Sequence, residues 1–427
     1  MNFIKYWKVL TVTIIAGISL PCDGQNVTLT LQECRQLAVT QNKKIKAVQS
    51  QIAAAKIANE AAGLNNRPSF DASIMGVHVG KPLDKLLPPT LLNGSVSATQ
   101  PIYTGGKIKL GQAATSKAIE ITEEQKTMTE VDVLFEVENA YWQIVQVKDK
   151  IVLANKYKEM LQQLHAELEN AVNAGLTYKN DLLRVEVNMN EADLNIAKAN
   201  DGLVLAKLNL AQIIGQSNHT DFDIKDSVDG NFSAMATQSF DGIADNRPEI
   251  NLLKKAIEIE QIQTKLIKAD LKPQIGFSLS GFSSVGKKIN FSNGENSMTS
   301  YYGLLNVSIP IFDWGKNAKK VKEQTLHIQA KQWELEGTKE LINLQAQSAW
   351  LQINQSVKKI ELTGHSMKQA EENLRLANDR YKAGTITGKD VLEAQVIWQQ
   401  AYSSNIDAKV EYKVNIANYK KAVGELR

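Results

Sequence analysis

From Leu182 to Ile213 the apolar residues keep an unbroken three-four spacing: Leu182, Val185, Met189, Ala192, Ile196, Ala199, Leu203, Ala206, Leu210 and Ile213. A seven-residue period held this long is the seam of a coiled coil, because an ordinary amphipathic helix on a globular core drifts off a strict heptad. An upstream segment answers with Val137, Ala140, Ile144, Val147, Ile151 and Ala154. Small residues mark a later seam at Ala394, Ala401, Ala408 and Ala422, which lets helices approach closely. The pattern predicts helices over 31–64, 107–172, 177–214, 244–270, 316–382 and 386–424. The helix over 107–172 would span ~100 Å at about 1.5 Å per residue, longer than any compact domain of this size. The helices 177–214 and 244–270 together nearly match that length. They are expected to stack end to end along it, with 31–64 completing the stack of 386–424 and the bundle closing around an axis.

Four shorter segments alternate instead, at 68–79, 92–103, 273–284 and 301–312. Phe70, Ala72, Ile74 and Gly76 oppose Ser69, Asp71 and Ser73; Ile275, Phe277, Leu279 and Gly281 oppose Gln274, Gly276, Ser278 and Ser280. Val96 and Ala98, then Leu305, Val307 and Ile309, oppose Ser95, Ser97, Thr99, Asn306 and Ser308. Such strands fit a soluble sheet with one buried face, or a membrane barrel with lipid outside and water inside. Their length suits a tilted strand crossing a bilayer. Four strands cannot close a barrel, and lipid does not tolerate open edges. Three copies would supply twelve strands, an allowed even number. Pro68, Pro101, Pro273 and Pro310 sit at the strand ends, where a missing N–H matters least.

The chain is a duplication. Ala174-Gly175 and Asp181-Leu182-Leu183 recur as Ala383-Gly384 and Asp390-Val391-Leu392, 209 residues on. Pro101-Ile102-Tyr103 with Gly106-Lys107 recurs as Pro310-Ile311-Phe312 with Gly315-Lys316, and Gly215 as Gly424, at the same offset. Nearer the start of each half the offset is 205, pairing Arg67-Pro68 with Lys272-Pro273 and Ile45 with Ile250. The difference places a variable loop near 81–91 in one half and 286–300 in the other. The expected organisation is a first repeat over 25–215, a linker over 216–243 and a second repeat over 244–427. Each repeat runs helix, two strands, long helix, glycine turn, returning helix.

Composition adds an address. Lys5 and Lys8 precede an apolar run from Val9 to Leu20, followed by Pro21-Cys22-Asp23-Gly24. That reads as an export signal over 1–24, since about twelve apolar residues are too few for a membrane span of ~20. Cys22 raises lipidation, although Ser19-Leu20-Pro21 before it fits such a site poorly. After cleavage Cys34 is alone, so no internal disulfide is possible. The formal charge of +3 and the lack of a basic stripe argue against a nucleic-acid partner. His78, His165, His219, His327 and His365 are scattered without ligand spacing, and no Met- or His-rich tract stands out. Gly105-Gly106-Lys107 lacks the spacing and the following hydroxyl of a phosphate loop. Neither an enzyme nor a bound cofactor or metal is expected.

The opening Leu29 to Ala38 (LTLQECRQLA), the two Pro-Ile-aromatic and Gly-Lys junctions and the paired Ala-Gly…Asp turns, in duplicated order, carry a family resemblance. The mature chain resembles the TolC-type outer membrane efflux proteins over essentially its whole length. That resemblance implies a homotrimer with a 12-stranded barrel in the outer membrane lipid and an α-helical barrel crossing the periplasm. It implies a passive export conduit, partnered by an inner-membrane transporter (RND, ABC or MFS type) and a periplasmic adaptor. The turns at Gly175 and Gly384 then look like the periplasmic tips. Asp390 and Glu393 fall where family members place pore-facing acids, and their spacing of three puts both on one helix face. Asp390 has a second reading as a helix cap. Asp181 and Tyr381 match positions that latch the tip closed, while an arginine of that latch is replaced by Ile386. The competing class is a soluble periplasmic coiled-coil scaffold or adaptor without a membrane barrel.

Overall fold

The computed structural model describes residues 27–82, 88–217, 220–236, 239–240, 242–290 and 292–426. The export signal and Cys22 lie outside the described residues. A short strand β1 (Val27–Leu29) leads into α1 (Leu31–Gln41), α2 (Lys43–Leu64), β2 (Ser69–His78), β3 (Thr90–Tyr103), α3 (Lys107–Asn173) and α4 (Lys179–Ile213). Strand β4 (Phe222–Ile224) and a 3-10 turn precede α5 (Pro248–Ala269), β5 (Gln274–Gly286), β6 (Ser297–Ser308), α6 (Lys316–Lys382) and α7 (Gly388–Val423). The two long helices have 67 residues each, and α2 and α5 have 22 each.

The single helix expected over 31–64 is two helices. Asn42 (φ −59°, ψ 134°) is extended and buried. Its side chain accepts from the Lys44 N–H at 2.7 Å and donates to the Ile213 carbonyl at 2.7 Å. One residue thereby caps the start of α2 and the end of α4. The second half repeats the joint with different chemistry. Arg247, 205 residues on, is the N-cap of α5 and donates to the Lys421 and Ala422 carbonyls at 2.9 and 3.0 Å. Gly215 lies at φ +79°, where an added Cβ would come within 2.6 Å of the Gln41 carbonyl oxygen.

These joints correct the stacking order. Helix α4 stacks on α2 and α7 on α5, so each returning helix meets the first helix of its own half, not of the next. Sequential elements usually neighbour each other. Here the cap donors Asn42 and Arg247 decide instead, because a helix end leaves carbonyls that need partners. The α2/α4 column packs along α3; α3 also packs on the α5/α7 column, which in turn packs on α6. The single chain is thus an open four-column wall and does not close around an axis.

Every seam position predicted on α4 is buried or half-buried, from Leu182 to Ile213. The middle of the wall is thickened by α1 and by β1 pairing in parallel with β4, inside the segment read as a bare linker. Tyr141, fully buried there, donates to Asp226 Oδ2 at 2.6 Å. Cys34 is buried and unpaired, and burial, then the Glu33 and Asp226 carboxylates, push its thiol up to about 12.

At one end of the wall, β2-β3-β5-β6 form one antiparallel sheet. Register places Phe70, Ala98, Leu279 and Gly303 across one face and Ser69, Thr99, Ser278 and Leu304 across the other. The first face continues through Ile74, Val96, Leu305 and Val307, all exposed in the single chain. The second carries Ser73 bonded to Ser95 at 2.8 Å and Ser284 to Asn93 at 3.0 Å. Strand β6 ends at Ser308, short of Ile309, because its pairing with β5 stops at Gln274 and Pro273 before it has no N–H to give. It begins at Ser297 and β3 at Thr90, so the loops are tighter than the sequence suggested.

Candidate functional site

The end of the wall opposite the sheet carries both glycine turns. Helix α3 ends as the Gly175 N–H bonds the Val172 carbonyl at 3.0 Å and the Leu176 N–H bonds the Ala171 carbonyl at 2.8 Å. Helix α6 ends the same way, Gly384 to Tyr381 at 2.9 Å and Thr385 to Arg380 at 3.0 Å. Both glycines are left-handed, at φ +72° and +69°. This is the αL termination that glycine allows, and it satisfies the last carbonyls of each long helix. The chain therefore reverses sharply at two equivalent points.

The two returning helices start differently. In α7, Thr387 is the N-cap and Asp390 completes a capping box, accepting from the Thr387 N–H at 2.9 Å and its hydroxyl at 2.8 Å. Those bonds hold the Asp390 carboxyl below the usual aspartate range. In α4 the N-cap is Tyr178, which has no hydroxyl to offer at that position, so Asp181 has no capping box. Tyr381 is half-buried at the end of α6. Burial, then Glu167 and Asp181, raise the Tyr381 hydroxyl pKa. The Asp181 carboxylate is thus near enough to act on Tyr381 through its charge, and no hydrogen bond joins the two. Glu393 stands exposed one turn beyond Asp390, with no ion pair or hydrogen bond among the described residues.

What joins the two hairpins at this end is mainly apolar, with one hydrogen bond from Gln395 Nε2 to the Met160 carbonyl at 3.3 Å. Leu168 of α3 is fully buried in a cluster with Tyr157, Leu161, Val185, Val391 and Leu392, against which Tyr381 and Ile386 pack. At Gly388 an added Cβ would lie 2.7 Å from Leu168 Cδ2, so α7 rests directly on that leucine. Ile386 packs against this cluster. Nearby, Lys158 pairs with Asp193 at 2.5 Å and His165 lies 3.3 Å from Glu186, tying α3 to α4. Sequence reasoning missed Leu168 and Gly388, because their contact crosses from one hairpin to the other. The sequence offered Asp390 as a cap of the helix start, without its partner Thr387, which the structure makes the N-cap. Among the described residues no cluster of side chains could hold a metal ion.

A family model described as outer membrane efflux protein matches residues 34–216 and 241–425, both halves of the chain. The outer membrane protein TolC of Salmonella enteritidis is 21% identical over 343 residues, covering 78% of this chain and 69% of that protein. Its counterpart in Escherichia coli (strain K12) is 23% identical over 348 residues, with the same coverages. Among solved structures, CusC superposes with TM-score 0.76 at 16% identity over 92% of each chain. The open state of the Neisseria gonorrhoeae MtrE outer membrane channel gives 0.74 at 18% identity, over 93% of this chain and 89% of that one.

Proposed function

The chain belongs to the outer membrane efflux protein family, and from that premise we propose that three copies build one continuous conduit. It is an outer membrane channel of an efflux system, with its helical part in the periplasm. The observation that carries the trimer is the pair of open edges. The wall alternates a long helix with a stacked column and ends in α6 on one side and α2/α4 on the other. The sheet ends in β6 and β2. Placing α6 beside the α2/α4 column of a second copy continues the alternation. Three copies give twelve strands, whose apolar face meets lipid and whose serine-rich face lines water.

In this reading the Gly175 and Gly384 turns form the periplasmic tip. The Leu168 cluster, with Tyr381 and Ile386 packed against it, holds each pair of hairpins together there. Three-fold symmetry turns Glu393 into a ring of carboxylates at the entrance, which favours cations over anions. Asp390 stands in the same ring but spends its carboxylate on the capping box, so Glu393 carries more of the pore chemistry. The adaptor and an inner-membrane transporter of RND, ABC or MFS type complete the route. No catalytic role is assigned to any residue. A soluble scaffold is disfavoured, since it leaves a bilayer-length sheet with Phe70, Ile74, Val96, Leu279, Leu305 and Val307 exposed on one face.

Single-channel recording in planar bilayers tests the proposal. The wild-type protein is expected to insert and conduct with cation preference, and Glu393→Gln to lower that preference. Insertion without any conductance, or a preference untouched by Glu393→Gln and Asp390→Asn together, would count against the pore assignment.

A further inference from the structure

Seven large apolar side chains stand exposed along α6, Leu376 near its end and, before it, a row of six: Leu326, Trp333, Leu341, Leu344, Leu351 and Leu362. The duplication identifies what they face. Moved back 209 residues, they become Lys117, Glu124, Asp132, Phe135, Trp142 and Leu153 of α3. Within the chain, all six of those residues meet the second half. Lys117 pairs with Glu258 of α5 at 2.9 Å, Glu124 with Lys255 of α5 at 2.9 Å, and Asp132 with Lys421 of α7 at 2.7 Å. Lys421 also lies over the Phe135 ring at 4.9 Å, and Lys413 over the Trp142 ring at 5.3 Å. Leu153 shares a cluster with Ala394 and Trp398 of α7. The row on α3 is therefore the face on which the α5/α7 column docks.

The repeat equivalents of α5 and α7 are α2 and α4. In the single chain that column lies along α3, at the far edge of the wall. Only a second copy can present it to α6. Its side of the seam has changed in step with α6. Lys255 and Glu258 become Ser50 and Ala53, Lys413 becomes Val204, and Lys421 becomes Gln212. All four are exposed. A charge left facing an apolar surface would lose hydration without a partner. Here both sides have lost their charges together.

We propose that the Trp333 row is the surface on which the α2/α4 column of a second copy docks, and that this seam is apolar where the seam inside the chain is charged. The proposal rests on the trimer reading above and adds the residues and their chemistry. The two seams respond oppositely to salt. Screening at about 1 M shortens the reach of charges to ~3 Å and loosens the seam between halves. It leaves the apolar seam between copies intact.

The test uses the full chain extracted from membranes in detergent. Trp333→Glu is expected to lower the ratio of trimer to monomer by about tenfold or more, as removal of a buried aromatic anchor does. Adding Ser50→Lys rebuilds the Glu124–Lys255 pair of the first half and is expected to restore assembly, now in a salt-sensitive form. Assembly of Trp333→Glu that matches wild type, or a double variant no better than the single one, would overturn the proposal. Circular dichroism checks that each variant keeps its helices. Independently, Trp333→Cys with Ser50→Cys in a Cys34→Ala background is expected to yield cross-linked trimers with a short bismaleimide. A trimer-sized particle that does not cross-link refutes this surface and leaves the trimer standing. A monomeric wild-type particle refutes the trimer reading itself.

Discussion

Truncating Leu168 to alanine should free the tip of the wall. Leu168 is fully buried and holds α7 at Gly388, where no side chain intervenes. Removing a buried leucine side chain costs about 2–5 kcal/mol through lost burial and the cavity left behind. Leu168 packs partly on its own hairpin, through the cluster containing Val185. Roughly half the lower to middle value, ~1.5 kcal/mol, is thus assigned to the contact between hairpins. That corresponds to about a tenfold shift toward separated hairpins. Single-channel recording reads it as a rise in open probability or in basal conductance. Gly388→Ala should act in the same direction, since its Cβ would sit 2.7 Å from Leu168 Cδ2 and 3.1 Å from Cδ1. The two together should be milder than their sum, because the new methyl enters the space the leucine vacates. Leu176→Ala, at a turn residue 82% exposed, is the control and should change nothing. Leu168→Ala indistinguishable from that control, or a strictly additive double variant, would refute the assignment of this contact to the gate.

Other consequences follow from single contacts. Asp181→Ala removes a carboxylate whose charge reaches Tyr381 and should make the channel leakier in planar bilayers; unchanged conductance would sink that role. Asn42→Ala strips the helix joint of a buried donor and acceptor and should destabilise the protein by about 1–3 kcal/mol, read as a lower thermal midpoint, with Asn42→Asp falling between. Because its folded pKa is depressed, the Asp390 carboxylate stabilises the start of α7 above the ordinary aspartate pKa and loses that contribution as pH falls through the lower folded value. The difference in thermal midpoint between wild type and Asp390→Asn should therefore shrink on acidification; a gap constant down to strongly acidic pH contradicts the cap.

Helices, strands and the duplication were legible because each rests on periodicity within a segment. The heptad from Leu182 to Ile213 is a local pattern, and the structure buries all of it at least halfway. The stacking order was not legible. It depends on Asn42 and Arg247, two dissimilar residues doing one job at equivalent positions, and neither reads as a joint until the carbonyls it meets are known. The break at Asn42 hid inside an otherwise helical stretch for the same reason. At the tip, Asp390 alone suggested a cap, while Thr387, the residue the structure makes the N-cap, was not singled out. The contact of Leu168 with Gly388 joins residues far apart in sequence and left no trace in either segment alone. The bare look of 216–243 concealed β4, since three residues are too few to show alternation.

The most direct measurement is the mass of the mature protein extracted from outer membranes in detergent, with detergent contributions subtracted. A particle of three chain masses is what a twelve-stranded barrel and a closed ring of helical columns require. A particle of one or two chains would contradict the account, because four or eight strands of this sheet would leave the wall open along α6 with its leucines facing water.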